Sequence, residues 1–131
     1  MEKQALVIDD DVCCLDVLVE YLTDRGFNIK SALNPTCPMM EQNVDACPMD
    51  GSSYDIILSD QHMPGMSGLE FFEYQKQRGC KVPSHHKALI SGAISNKDLK
   101  IAESMGYKVF HKPTPLDLID SWIDGVLAQD S

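Results

Sequence analysis

Five residues at widely separated positions carry complementary chemistry: the adjacent Asp9 and Asp10, a third carboxylate at Asp60, the hydroxyl of Ser91 and the amine of Lys112. Carboxylates gathered at one edge repel one another and raise each other's pKa unless a cation is shared between them. Oxygen donors with room for water suit Mg²⁺, which takes one or two carboxylates and keeps positions for phosphate oxygens. A lysine and a hydroxyl beside such a centre suit phosphoryl transfer, which needs positive charge and donors around the equatorial oxygens more than covalent help. A carboxylate can also be the acceptor, forming an acyl phosphate. Taken singly, the same residues are ordinary. An Asp after a strand is usually a turn or helix N-cap residue, and Asp11 is expected to be only that. Ser91 before Gly92 reads as a turn, and Lys112 before Pro113 as a solvated side chain.

The chemistry therefore depends on elements that bring these positions together. Short apolar runs alternate with helix-length amphipathic segments, the pattern of βα units and a parallel sheet. Ala5 to Ile8 is a first strand. Val12, Leu15, Leu18, Val19 and Leu22 then recur at helical spacing, and Gly26 supplies a stop. Asn28 to Leu33 is a weaker second strand, and Asp55 to Ser59 a buried third. From Ser67 a helix runs to near Gly79, KALIS is a fourth strand, Asn96 to Met105 a helix before Gly106, YKVFH a fifth strand, and Pro115 to Leu127 a final helix. Between Asn34 and Ser53 the pattern degrades. Pro35, Pro38 and Pro48 leave room only for a short helix around Met39 to Ala46. In an open parallel sheet ligands collect at the carboxyl ends of the strands, so Asp9 to Asp11, Asp60, Ser91 and Lys112 are expected at one edge.

Composition narrows the function classes. The 131 residues, 44% of them hydrophobic, suffice for one compact domain without metal or disulfide staples. The net charge of −9 argues against direct nucleic-acid binding, which relies on a basic face. No apolar stretch is long enough for a membrane span and the N-terminus is charged, so no membrane association and a cytoplasmic location are expected. Cys13, Cys14, Cys37, Cys47 and Cys80 form no CxxC spacing and are expected as reduced thiols, with Cys37 and Cys47 the pair that oxidation could join. On the first helix, one of Cys13 and Cys14 is expected to pack and the other to be partly exposed. His85 and His86, near Pro83, read as turn residues.

Four segments in order, LVIDDD, DIILSDQHMPGMSGLEFF, ALISGA and VFHKPTP, resemble the signature of response-regulator receiver domains, over Ala5 to about Leu127. The D-x-x-M-P-G-M-x-G run at Asp60 is the most specific part. The resemblance implies a flavodoxin-like doubly wound (βα)5 fold with a five-stranded parallel sheet in the order 2-1-3-4-5. It implies one receiver domain over residues 1–131, with a core of about 4–128 and an irregular Pro-containing segment at 34–53. By resemblance Asp60 is the phosphoacceptor. Asp9, Asp10, Asp60 and the backbone carbonyl of His62 hold Mg²⁺, Asp9 partly through water. Ser91 and Lys112 meet the phosphoryl oxygens, and the Lys112–Pro113 bond is cis. The implied donor is a histidine kinase or histidine phosphotransfer protein, and the reader is a downstream protein or a linked output domain. Such a domain is a signalling switch rather than an enzyme, its only reactions being to take up and lose the phosphoryl group. Its read-out surface, between the fourth helix, fifth strand and last helix, would include Lys97, Lys100, Val109 and Leu116.

The chain departs from the family pattern in three places. Val109 stands where many members carry a switching aromatic residue. His62 and Ala93 occupy the positions flanking the phosphoryl group, and residues 34–53 are longer and less regular than the usual second helix. Val109 keeps open a phosphorylation-independent binding module, which Asp60→Asn would leave unaffected. A phosphohydrolase of the haloacid dehalogenase type would use Asp9 and Asp11 as its D-x-D pair, but leaves Asp60 and its loop unexplained. After Leu127 too few residues remain for an output domain, so a single-domain regulator and a receiver cut from a larger protein are both expected possibilities.

Overall fold

The computed structural model describes residues 3–36, 40 and 54–129. Five strands, β1 (Lys3–Ile8), β2 (Phe27–Ala32), β3 (Ile56–Asp60), β4 (Lys87–Ser91) and β5 (Lys108–His111), form one parallel sheet in the order β2-β1-β3-β4-β5. Among the described residues four α-helices connect or follow them: α1 (Val12–Asp24), α2 (Gly68–Gln77), α3 (Asn96–Met105) and α4 (Leu116–Gln129). The expected short helix around Met39 to Ala46 and the Cys37–Cys47 pair fall outside the described residues, apart from Met40.

Side chains alternate across the strands because successive Cβ atoms point to opposite faces. Ala5, Val7, Ile56, Leu58, Ala88, Ile90 and Phe110 pack with α1 and α4 on one face. Leu6, Ile8, Ile57 and Leu89 pack with Phe71, Phe72, Ala102 and Tyr107 on the other. β1, β3 and β4 are covered on both faces and so read as continuous apolar runs. β2 is an edge strand with only Phe27 buried, which explains its weak signal. Helix boundaries follow local chemistry. Asp11 caps α1 by accepting from the N–H groups of Cys13 and Cys14, Ser67 and Glu70 form a capping box on α2, and Gly106 ends α3 at φ +88°.

Tyr21 and Arg25, at the end of α1, both bond the Asp120 carboxylate on α4, and Arg25 also reaches Asp124 at 2.8 Å. Burial, followed by the bond to Asp120, pushes the Tyr21 hydroxyl up to about 12, so it stays a donor. On the opposite face Lys87 is buried, its ammonium 5.5 Å from the centre of the Phe72 ring. His86 is buried too and bonds the Asp55 carbonyl through Nδ1 at 3.0 Å, giving it an anchoring role at the start of β3.

Three expectations need correction. Asp60 is the last residue of its strand rather than the first beyond it, so its backbone, like that of Ser91 at the end of KALIS, is held by the sheet. Cys13 is exposed and Cys14 half-buried, because both lie in the first turn of α1, beyond the sheet's cover. Lys97 and Leu116 do not share one surface. Lys97 borders a groove with Met66, Leu69, Tyr74 and Ile101 between α2 and α3, whereas Leu116 faces Val17 and Tyr21 of α1. The groove beside Val109 is lined instead by Phe110, Pro115, Leu118 and Trp122.

Candidate phosphoacceptor site

The carboxyl ends of β1, β3, β4 and β5 bring the predicted residues to one edge of the sheet. Asp9, Asp10 and Asp60 each offer a carboxylate oxygen, and these oxygens lie within 4.8 Å of one another. Asp9 and Asp60 are buried, at 1% and 5% exposure, while Asp10 stands open to solvent. From β5, Lys112 extends Nζ to 3.2 Å from Asp9 Oδ2 and 3.6 Å from Asp60 Oδ2. Its backbone N–H donates to the Ser91 carbonyl at 2.8 Å, which fixes the lysine against β4. The Lys112–Pro113 peptide bond is cis, as the resemblance implied.

Burial is the first cause that drives the Asp60 carboxyl up to about 6, followed by a carboxyl–carboxylate hydrogen bond with Asp10 and the charge of Asp9. The Lys112 ammonium and the His62 N–H pull the other way without prevailing. Burial disfavours the Lys112 ammonium, yet the charges of Asp60 and Asp9 outweigh it and raise its pKa.

The donor set fits a hard divalent cation. Asp9 Oδ1 accepts the Asp11 N–H at 2.9 Å, but buried Asp9 Oδ2 receives no hydrogen bond of acceptable geometry. The Lys112 ammonium, 3.2 Å away, is its charged partner. A buried carboxylate met by a single ammonium, beside two further carboxylates, is a costly arrangement that a metal ion relieves.

Ser91 is fully buried, and its Oγ accepts the Ala93 N–H at 3.1 Å. The hydroxyl therefore turns back on its own loop and keeps its proton available. His62 donates its backbone N–H to Asp60 Oδ1 at 3.3 Å, while its exposed ring bonds the Ala93 carbonyl through Nε2. The loops after β3 and β4 are thus joined across the site by this ring.

Two structural residues escaped the sequence reading. Gly68 sits so close to the phosphoacceptor strand that a Cβ there would meet the Asp60 carbonyl at 2.5 Å and Leu89 Cδ2 at 2.6 Å. Its place in the M-P-G-M-x-G run was the available signal. Gln61, 2% exposed, is a polar residue following a fully buried strand, and its backbone and side chain together touch β4, α2 and α3.

Comparisons with known proteins agree on the whole-chain likeness. The family model for the response regulator receiver domain matches residues 5–123. The hydrogenase transcriptional regulatory protein HoxA of Cupriavidus necator is 31% identical over 98% of this chain, which spans 25% of that protein. The sensor histidine kinase RcsC of Escherichia coli is 27% identical over 90% of this chain, which spans 12% of it. Among solved structures, a CheY-like receiver domain protein from Methanospirillum hungatei superposes with a TM-score of 0.76 at 22% identity, covering 99% of this chain and 98% of that one. A Francisella response regulator receiver domain gives 0.77 at 17% identity, covering 99% and 100%.

Proposed function

Because this chain belongs to the response regulator receiver domain family, we propose that it takes a phosphoryl group onto Asp60, in a Mg²⁺-dependent reaction, from a histidine kinase or a histidine phosphotransfer protein. The observation that carries this reading is the buried Asp60 carboxyl, set among Asp9, Asp10 and Lys112 at the strand ends. An Asp60 carboxylate oxygen attacks phosphorus, the new O–P bond forms as the P–N bond breaks, and the electron pair returns to the donor imidazole.

Asp9, Asp10, Asp60 and the His62 carbonyl would hold Mg²⁺, whose divalent charge lowers the repulsion between the carboxylates and an incoming phosphate. Lys112, already 3.6 Å from Asp60, draws a phosphoryl oxygen to its ammonium and orients it. The Ser91 hydroxyl gains a charged acceptor once phosphoryl oxygens arrive and turns toward them, taking the Gly92–Ala93 backbone with it. That movement would alter what a downstream protein or linked output domain meets. A single receiver domain over residues 1–131 and a cytoplasmic location belong to the same reading. Among the described residues no helix is long and apolar enough to cross a membrane.

Intact mass after incubation with acetyl phosphate tests the proposal. Wild type should gain one phosphoryl group only when Mg²⁺ is present, and Asp60→Asn should gain none. An adduct that persists in Asp60→Asn, or forms equally in EDTA, would sink it. Lys112→Ala should retain Mg²⁺ binding, read as a Mg²⁺-induced rise in thermal midpoint, yet accumulate the adduct about 10-fold or more slowly, in line with losing one charged stabilising donor. An unchanged rate would remove Lys112 from the reaction.

A further inference from the structure

Gln61 follows the phosphoacceptor directly and is held on every side. Its N–H donates to the Ile90 carbonyl at 3.0 Å and its carbonyl accepts from Gly68 N at 3.0 Å. Side-chain Oε1 accepts the Leu69 N–H at 2.9 Å, capping a free donor in the first turn of α2. Side-chain Nε2 donates to Asp98 Oδ2 in the first turn of α3, at 3.5 Å. Three of these bonds are short and one is long. A bond at the far end of hydrogen-bonding distance is the one that a displacement of a few tenths of an ångström makes or breaks.

Resting on the phosphoacceptor reading, we infer that Gln61 is a positioning residue coupling Asp60 to the first turn of α3 through the Nε2–Asp98 bond. The coupling adds a second route to the one through the Ser91 hydroxyl. Gln61 is covalently attached to the residue that gains charge, and through Ile90 it is bonded to the neighbour of the residue whose hydroxyl turns. Both events converge on one amide whose weakest tie leads to α3. Asp98 also receives its helical order from Ser95, whose Oγ accepts the Asp98 N–H at 3.1 Å, so a change at Asp98 acts on the start of the helix. This route needs no aromatic side chain at Val109.

The test uses exchanged partners. Gln61→Glu keeps an acceptor for Leu69 N–H but sets a carboxylate against Asp98, while Asp98→Ala removes the acceptor from a partly exposed helix position and leaves the interior intact. In the double variant Gln61→Glu/Asp98→Asn, the new amide donates to the new carboxylate and the bond returns with its polarity reversed. Amide hydrogen exchange of Asp98 and Leu99 is measured before and after phosphorylation with acetyl phosphate and Mg²⁺, and intact mass reports the adduct in every sample.

Phosphorylation should change exchange at these amides by roughly threefold or more in wild type, change it little in either single variant, and change it again in the double variant. An equal response in all four proteins, no response in phosphorylated wild type, or no recovery in the double variant would each overturn the coupling. A wild type that forms no adduct would instead overturn the phosphoacceptor reading on which the coupling rests.

Discussion

Gly68→Ala is expected to destabilise the fold by about 3 kcal/mol, in the upper part of the range for overpacked interiors. A methyl group there would stand 2.5 Å from the Asp60 carbonyl oxygen and 2.6 Å from Leu89 Cδ2. Relief by rotation is open to the leucine alone, because the carbonyl belongs to a strand paired on both sides. Moving α2 outward instead would stretch the Gly68 N to Gln61 carbonyl bond and unseat Phe71 and Phe72, both fully buried. Urea denaturation would read the loss. A variant within about 0.5 kcal/mol of wild type would mean that α2 is free to shift, contrary to the close packing described.

Asp60→Asn should act in the opposite direction on the metal-free protein. A carboxyl whose folded pKa lies near 6, above the ordinary value of 3.8, binds its proton more tightly in the native state. Its contribution to stability is therefore fully present below about pH 4 and is lost as pH rises through 6. Asparagine carries no charge to be disfavoured. In EDTA at pH 7.5 the variant should be more stable than wild type by about 1–2 kcal/mol, after allowance for solvent screening. The advantage should close as pH falls from 6 toward 4. Adding Mg²⁺ should narrow the gap at pH 7.5, since an ion bound by the native state stabilises whichever protein holds it more tightly. Denaturation midpoints across pH 4–8, with and without Mg²⁺, would check this. A difference that does not vary with pH would assign the effect to packing rather than to ionisation.

The strand ends were legible because burial on both faces leaves a plain apolar run, and the polar residue that closes each run marks the edge. Asp9, Asp60, Ser91 and Lys112 were found in this way. The capping roles of Asp11 and Ser67 are local and could be read from neighbouring residues. Gln61 was harder. Nothing in a glutamine beside a strand states that three elements converge on it, since its partners Ile90, Gly68, Leu69 and Asp98 are set by tertiary packing. The same holds for Lys97 and Leu116, whose surfaces depend on helix rotation. Lys87 lies in a strand whose pattern would admit any apolar residue, and its ammonium stands 5.5 Å from the centre of the Phe72 ring.

The sheet that separates the two apolar clusters also sets how such a chain can change over generations. A substitution among Leu15, Leu18, Ile119 and Ile123 is answered by neighbours on its own side, and one among Leu69, Phe72, Ala102 and Tyr107 by those on the other. Each layer can drift at its own pace, and new outer surfaces can arise on one flank while the other keeps its existing associations. The strand ends lack that freedom. There residues from β1, β3, β4 and β5 must answer to one another across the divide, so a change at one of them has to be met from both layers.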